Sequence, residues 1–288
     1  ITVCYDMQDE SDIAWQLGIG CGGLVKVLLQ PINQDNNYLD LLHLKTIIEQ
    51  REPCFYQLGL EHNKAINKTL GSHEQDNIEQ SNQARENTTL LIPINPTPSL
   101  VIFGGGIDAQ PLVSLAKTLG WYICLIDSRT SYARPAYFKS ADKIINSAYQ
   151  HSELDIPRAD AIVIMHHNIT LDAQALTLIT QHKQLQCSRY IGLLGPQHRT
   201  ERVFEELSIN LSDLPVKLAN PIGLDLGGEL PESIALSILS QAHASIENAT
   251  AKPIGFYEPK NAVIKKPSTV LIPANQTILA DETSCHAN

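Results

Sequence analysis

The chain has 288 residues, 43% apolar and 18% charged, and a formal net charge of −10. That length holds one large domain or two modest ones, either with a real core. The acidic balance excludes the basic, clustered footprint of a nucleic-acid binder. No apolar run approaches the ~20 residues of a membrane-spanning helix, so no membrane partner is expected. Six scattered cysteines (Cys4, Cys21, Cys54, Cys124, Cys187, Cys285), with no C-x-x-C pair, form neither a disulfide framework nor a zinc ribbon. Reduced thiols in a cytoplasmic protein are their simplest account.

In chain order, residues 1–60 form a first block. Ile1 to Tyr5 already reads as a strand and no Met opens the chain, so part of an N-terminal domain is expected to be missing. Gly20-Cys21-Gly22-Gly23 leads into the apolar Leu24 to Leu29, a turn into a buried strand. Tyr38 to Gln50 carries Leu41, Leu42, Leu44, Ile47 and Ile48 at helical spacing, ahead of Pro53. Residues 61–98 are polar from His62 to Thr89 and are stiffened by Pro93, Pro96 and Pro98, which suits a linker better than an irregular hairpin. Residues 246–288 carry four prolines without helical periodicity and read as an extended tail with a late strand at Thr269 to Ile272.

Residues 99–245 alternate short apolar runs with helical patterns. Strands are expected at Leu100 to Phe103, Tyr122 to Ile126, Lys143 to Ile145, Ala161 to Met165 and Tyr190 to Leu194. Helices are expected at Asp108 to Leu119, Asp172 to Gln181, Thr200 to Leu207 and Glu232 to Ser245. Alternation of this kind predicts an α/β fold, a Rossmann-like parallel sheet with helices on both faces, beside the smaller N-terminal domain.

The first strand runs into Gly104-Gly105-Gly106-Ile107-Asp108-Ala109, a G-x-G-x-x-A turn opening a helix. Gly104 suits the tight turn, Gly106 lets a pyrophosphate approach the backbone, and Ala109 lets the helix pack closely on the strand. The free N–H groups and dipole of the helix N-terminus favour an anion. Asp127 ends the second strand, where a carboxylate either binds the hydroxyls of a ribose or caps the next turn; Arg129 can instead meet a 2′-phosphate. Asp108 places a negative charge beside the expected pyrophosphate, which counts against ordinary dinucleotide binding. Met165-His166-His167-Asn168 closes the fourth strand. Adjacent side chains there point opposite ways, so one histidine at most reaches the crevice above the sheet. Gly195 and the helix after it make a second anion-friendly edge, with His198 or Arg199 beside it. Asp225, Glu229 and Glu232, around a glycine-rich loop and Pro231, either form an acidic cluster or serve the loop and helix cap. Cys21, between glycines, is an accessible thiol with no cationic neighbour in sequence.

Together these segments resemble the XdhC/CoxI family, accessory proteins of xanthine dehydrogenase and related molybdenum hydroxylases. The resemblance is carried by Leu17 to Pro31 with Cys21, Leu100 to Ala109, Ile126-Asp127-Ser128-Arg129, Phe138 to Asp142, Met165 to Asn168, Tyr190 to Gly195, and Pro221 to Gly227 continuing through Pro231. It covers residues 1–60 and 99–245. It implies a chaperone for molybdenum cofactor that assists sulfuration and insertion of the cofactor into a xanthine dehydrogenase-type enzyme, with a cysteine desulfurase as a second partner, often as a homodimer. Cys21, Gly104, Gly106, Ala109, Asp127, Arg129, His167 and Gly195 become the candidate cofactor-binding residues. His166 stands where the family usually has a Thr. The competing function is an NAD(P)-dependent oxidoreductase with Asp127 on the ribose and His167 as acid or base.

Overall fold

The strongest apolar runs of the chain assemble one parallel sheet. Its strands are β6 (Ser99–Phe103), β7 (Tyr122–Ile126), β8 (Lys143–Ile145), β9 (Ala161–Ile164), β10 (Tyr190–Leu193) and β11 (Leu218–Ala219). They lie in the order β11-β10-β9-β6-β7-β8, every neighbouring pair parallel. The chain therefore builds outward from β6 in one direction and returns to build β9, β10 and β11 in the other. This is the doubly wound Rossmann arrangement, an α/β fold whose switch point lies between β6 and β9. The computed structural model describes residues 1–6, 24–60, 67–71, 89–149, 154–207 and 209–255.

Side chains on a strand alternate faces, so each central strand feeds two cores. Leu100, Ile102, Ile123, Leu125, Ala161 and Val163 join α2 (Ala109–Thr118) and α5 (Pro231–Ile246) on one face. Val101, Phe103, Cys124, Ile126, Ile162 and Ile164 join α3 (Ile169–Gln181) and α4 (Gln197–Glu205) on the other. Each fully buried Leu, Ile or Phe contributes roughly 1.5–3 kcal/mol. The helix starts follow local chemistry. The Asn168 side chain caps α3 by accepting from Leu171 N at 2.9 Å, and Pro231 occupies the first turn of α5. Asp142 accepts from Ile123 N and from Lys117 Nζ, tying the end of α2 to β7.

The N-terminal part is built differently. β1 (Thr2–Asp6) pairs antiparallel with β2 (Leu24–Leu28), a two-stranded sheet among the described residues. β2 was expected to be buried, yet Leu24 is 60% exposed and Val25 37%; a two-stranded sheet offers no second layer to cover it. A 3-10 turn over Asn37–Asp40 leads into α1 (Leu41–Glu49). β3 (Cys54–Gly59) is the centre of an antiparallel sheet with β4 (Lys68–Gly71) and β5 (Thr89–Ile94). Two stretches of 61–98, whose composition suits a linker, are thus strands. Both are edge strands: β4 has four residues, and β5 carries Pro93 and follows a polar stretch, so the segment as a whole looks like a loop. Buried Asn67 accepts from Gly59 N and donates to Tyr56 Oη, and Tyr56 Oη donates to Leu39 O at 2.7 Å. Arg51 joins this part to the parallel sheet, donating to Thr97 O and lying 4.6 Å over the Tyr122 ring.

Residues Ile1–Thr250 form one unit and Ala251–Asn288 a second. Of the second, 251–255 are described and exposed; the strand expected at Thr269 to Ile272 lies outside the described residues. No described helix is long and apolar enough to cross a membrane.

Ile162, fully buried on central strand β9, should carry a large share of stability. Ile162→Ala is expected to cost about 2–5 kcal/mol, read as a lower urea midpoint with unchanged slope.

Candidate functional site

In an open α/β sheet, ligands bind outside the carboxyl ends of the strands at the switch point. Here that point is shaped by glycines. Gly104 has φ +113 and a Cβ there would stand 2.7–2.8 Å from the backbone of Met165 and His166, at the end of β9. Gly105 faces the other way, where a Cβ would stand 2.2 Å from Ala133 N in the loop after β7. The glycine turn is thereby clamped between two loops, which no side chain at either position would allow. Gly106 is different: a Cβ there meets nothing within 4 Å. Ala109 is fully buried between α2 and the sheet.

The N–H groups of the turn divide into two sets. Gly104 N donates to Ile126 O and Gly105 N to Asp127 Oδ2. Those of Gly106, Ile107 and Asp108 make no bond among the described residues. They are the part of the turn open to an anion.

Asp127 is fully buried and its carboxylate accepts four hydrogen bonds from within the chain: Gly105 N (2.8 Å), Arg129 N (2.9 Å), Arg129 Nε (2.9 Å) and Arg129 Nη2 (2.7 Å). Burial alone would raise its pKa, but the hydrogen bonds from Arg129 and Gly105 hold it below the usual carboxylate value. Both its oxygens are engaged, so the ribose contact expected of it is not open in this arrangement. It ties the glycine turn to the loop after β7. Arg129 is turned the same way: its guanidinium grips Asp127 and lies 3.5 Å over the Tyr132 ring, and Nη1 reaches His166 O at 3.4 Å. It does not stand free for a 2′-phosphate.

On the other side of the turn a crevice of about 290 Å³ opens between the start of α2, the segments that follow β9 and β10, and α5. It is lined by Asp108, Met165, His167, Gly195, Arg199 and the apolar face of α5 through Ile234 and Ile238, among others. His167 and Gly195 are thus brought together, whereas Asp127 and Arg129 lie outside this lining. His167 has φ 58, a left-handed conformation that costs roughly 1–2 kcal/mol outside glycine. Its Nε2 lies 3.0 Å from Asp108 Oδ2, bridging the loops on either side of the switch point. A larger groove of about 640 Å³ beside β11 and α4 touches none of the candidate residues. His198, Asp225, Glu229 and Glu232 line neither opening. Among the described residues no group of three or more His, Cys, Asp or Glu could hold a metal ion. Cys21 lies outside the described residues. Cys124 is fully buried in β7 and burial pushes its thiol up to about 12, which leaves it unreactive.

Behind the crevice runs a chain of buried polar side chains that sequence reasoning missed. Arg199 Nη2 donates to Asp172 Oδ2 at 2.5 Å. Asp172 Oδ1 lies 2.9 Å from His166 Nδ1, and His166 Nε2 lies 2.5 Å from Tyr149 Oη. The side chains of Asp172 and His166 are 0% exposed and that of Arg199 is 17% exposed. Arg199 Nη1 also donates to Leu194 O at 3.2 Å. A detectable signal existed: Asp172 occupies the same helical stripe as Leu176 and Ile179, so an acid falls at a core position of α3.

Two consequences can be measured. Asp172→Ala strands a mostly buried guanidinium and a buried imidazole together, and should cost about 3–5 kcal/mol in thermal or urea unfolding. Asp127→Asn should cost about 2 kcal/mol at neutral pH. The folded pKa of Asp127 is depressed, so its contribution is fully present above the unfolded value of about 3.9 and is lost as pH falls through the lower folded value. The stability gap between wild type and Asp127→Asn should therefore be constant from pH 7 to about 5 and narrow below about pH 4.

With this geometry in hand, comparison with known proteins is direct. Residues 100–242 match the family described as the XdhC Rossmann domain. A protein of Bacillus subtilis (strain 168), named as a probable xanthine dehydrogenase subunit, is 28% identical over 258 residues, covering 82% of this chain and 74% of its own length. A crystal structure from Bacillus halodurans, described as a xanthine dehydrogenase, superposes with a TM-score of 0.66 at 27% identity, covering 88% of this chain and 77% of that one. The order of strands, the glycine turn and these relatives agree: residues 100–242 form a Rossmann domain of the XdhC family.

Proposed function

We propose that this chain is an accessory protein of a xanthine dehydrogenase-type molybdenum hydroxylase, carrying molybdenum cofactor as cargo and assisting its sulfuration and insertion into that enzyme. The observation that carries the reading is the switch-point crevice of an XdhC-family Rossmann domain, open beside the unbonded N–H groups of Gly106 to Asp108. Those N–H groups and the helix dipole suit the phosphate end of such a cargo. The sulfur end is assigned to Cys21 on the strength of the family's Gly-Cys-Gly-Gly motif. A cysteine desulfurase would be the sulfur source, a second copy of the chain the expected assembly partner, and the cytoplasm the compartment.

An NAD(P)-dependent oxidoreductase is the weaker reading. It needs an exposed carboxylate after β7 to hold the ribose, and Asp127 is buried with both oxygens engaged.

The direct test is mass spectrometry of small molecules released from purified, intact-length protein. A molybdopterin species is expected, and a nicotinamide dinucleotide in its place would overturn the proposal. Cys21→Ala should lower retention of the cofactor, or activation of the partner hydroxylase, about tenfold, equivalent to roughly 1.4 kcal/mol, with an unchanged circular dichroism spectrum. Activation at the wild-type level would count against the role of the thiol.

A further inference from the structure

The crevice presents three polar side chains in otherwise apolar walls: the Asp108 carboxylate on the glycine-turn side, the His167 imidazole after β9 and the Arg199 guanidinium on the β10 side. Each already has a hydrogen-bond partner. Asp108 Oδ2 is held by His167 Nε2 at 3.0 Å, and Arg199 Nη2 by the buried Asp172 at 2.5 Å. An anion on Arg199 would face Asp108, and a cation on Asp108 would face Arg199. A neutral ligand with a hydrogen-bond donor and an acceptor meets neither penalty and satisfies both groups.

Hydrogen-bonding capacity remains on each side. Asp108 Oδ1 makes no bond among the described residues. Arg199 has five N–H donors, and its recorded bonds run from Nη1 to Leu194 O and from Nη2 to Asp172. The guanidinium is locked from behind by the Asp172–His166–Tyr149 chain, so its remaining donors are presented at a fixed angle. The rest of the lining (Leu112, Met165, Ile234, Ile238) suits the faces of an aromatic ring. At about 290 Å³ the crevice lies at the lower end of small-molecule sites, which run from ~300 to ~1,000 Å³. It has room for one fused ring system and not for a dinucleotide.

We propose that this crevice binds a flat, neutral heteroaromatic ring that carries both an N–H donor and a C=O acceptor. The ring N–H donates to Asp108 and the ring carbonyl accepts from Arg199. His167 is a positioning residue that orients Asp108. The proposal deepens the carrier reading above and rests on it for the biological source: pterin and oxopurine rings both carry such groups, so the occupant is the pterin end of the cargo or a free oxopurine.

The test titrates the intact-length protein by calorimetry with a free pterin, with xanthine and with inorganic pyrophosphate. One of the two rings should bind saturably, and the tighter one identifies the source. Asp108→Asn and Arg199→Gln should each weaken that binding about tenfold or more, while Asp108→Asn, a half-exposed position, leaves the melting temperature near wild type. Ile234→Trp, which fills the crevice from α5, should abolish binding without unfolding the chain. Failure of both rings to bind would overturn the proposal. So would pyrophosphate binding that is lost in Arg199→Gln, the mark of an anion site on the guanidinium. If neither ring binds while wild-type protein still carries molybdenum cofactor, the crevice assignment falls and the carrier reading stands. If a ring binds and the protein never carries the cofactor, the carrier reading falls and the crevice assignment stands.

Discussion

The close approach at Gly104 and Gly105 governs this molecule. The turn after β6 is pressed on one side against the backbone at Met165 and His166 and on the other against Ala133, with room for hydrogen atoms alone where a side chain would begin. Two loops from opposite halves of the sheet therefore converge on one turn. On the β7 side the convergence is complete, because Asp127 and Arg129 seal it with hydrogen bonds and a ring contact. On the β9 side it stops short, and the unfilled remainder is the crevice. The fold has kept the architecture of a dinucleotide site and divided it unequally, one half closed by the chain itself and the other left open.

The open half owes its polarity to groups that are never seen from outside. Arg199 would be an expensive residue to hold mostly buried without a counter-charge. Asp172, in the first turn of α3, supplies it, and His166 and Tyr149 continue the hydrogen bonding into the core. A network of this kind is valuable only if every member is satisfied. Its position explains why His166 is tolerated at the end of β9: a buried imidazole there has a carboxylate on one nitrogen and a phenol on the other. The neighbouring His167, one residue on and facing the opposite way, meets solvent and Asp108.

Legibility in the sequence followed the strength of the local pattern. The parallel sheet was readable because fully buried strands are near-continuous apolar runs; β6 to β10 and their helices fall within a few residues of the pattern-based ranges. β11 was not, since two residues form no pattern. β4 and β5 were hidden by polar surroundings, and the exposure of β2 depends on what packs against it, which no local pattern encodes. Within the site, His167 and Gly195 could be named from strand ends, whereas the apolar lining from α2 and α5 could not. The buried Asp127 could not be distinguished from an exposed ribose ligand, because both readings need an acid at the same place. Asp172 carried a signal in its helical phase. Tyr149 carried none, as its partner sits 17 residues away across the sheet.

The seal around Asp127 also bears on evolvability. Opening a ribose site at Asp127 would require freeing the carboxylate, removing its guanidinium and withdrawing the segment around Ala133 at once. Any one of these alone leaves a buried charge unpaired or a void against the glycines, so the intermediates are less stable than either end state. The barrier runs through coupled residues, and a lineage that acquired this clasp would be held to the closed arrangement by the cost of the intermediate steps.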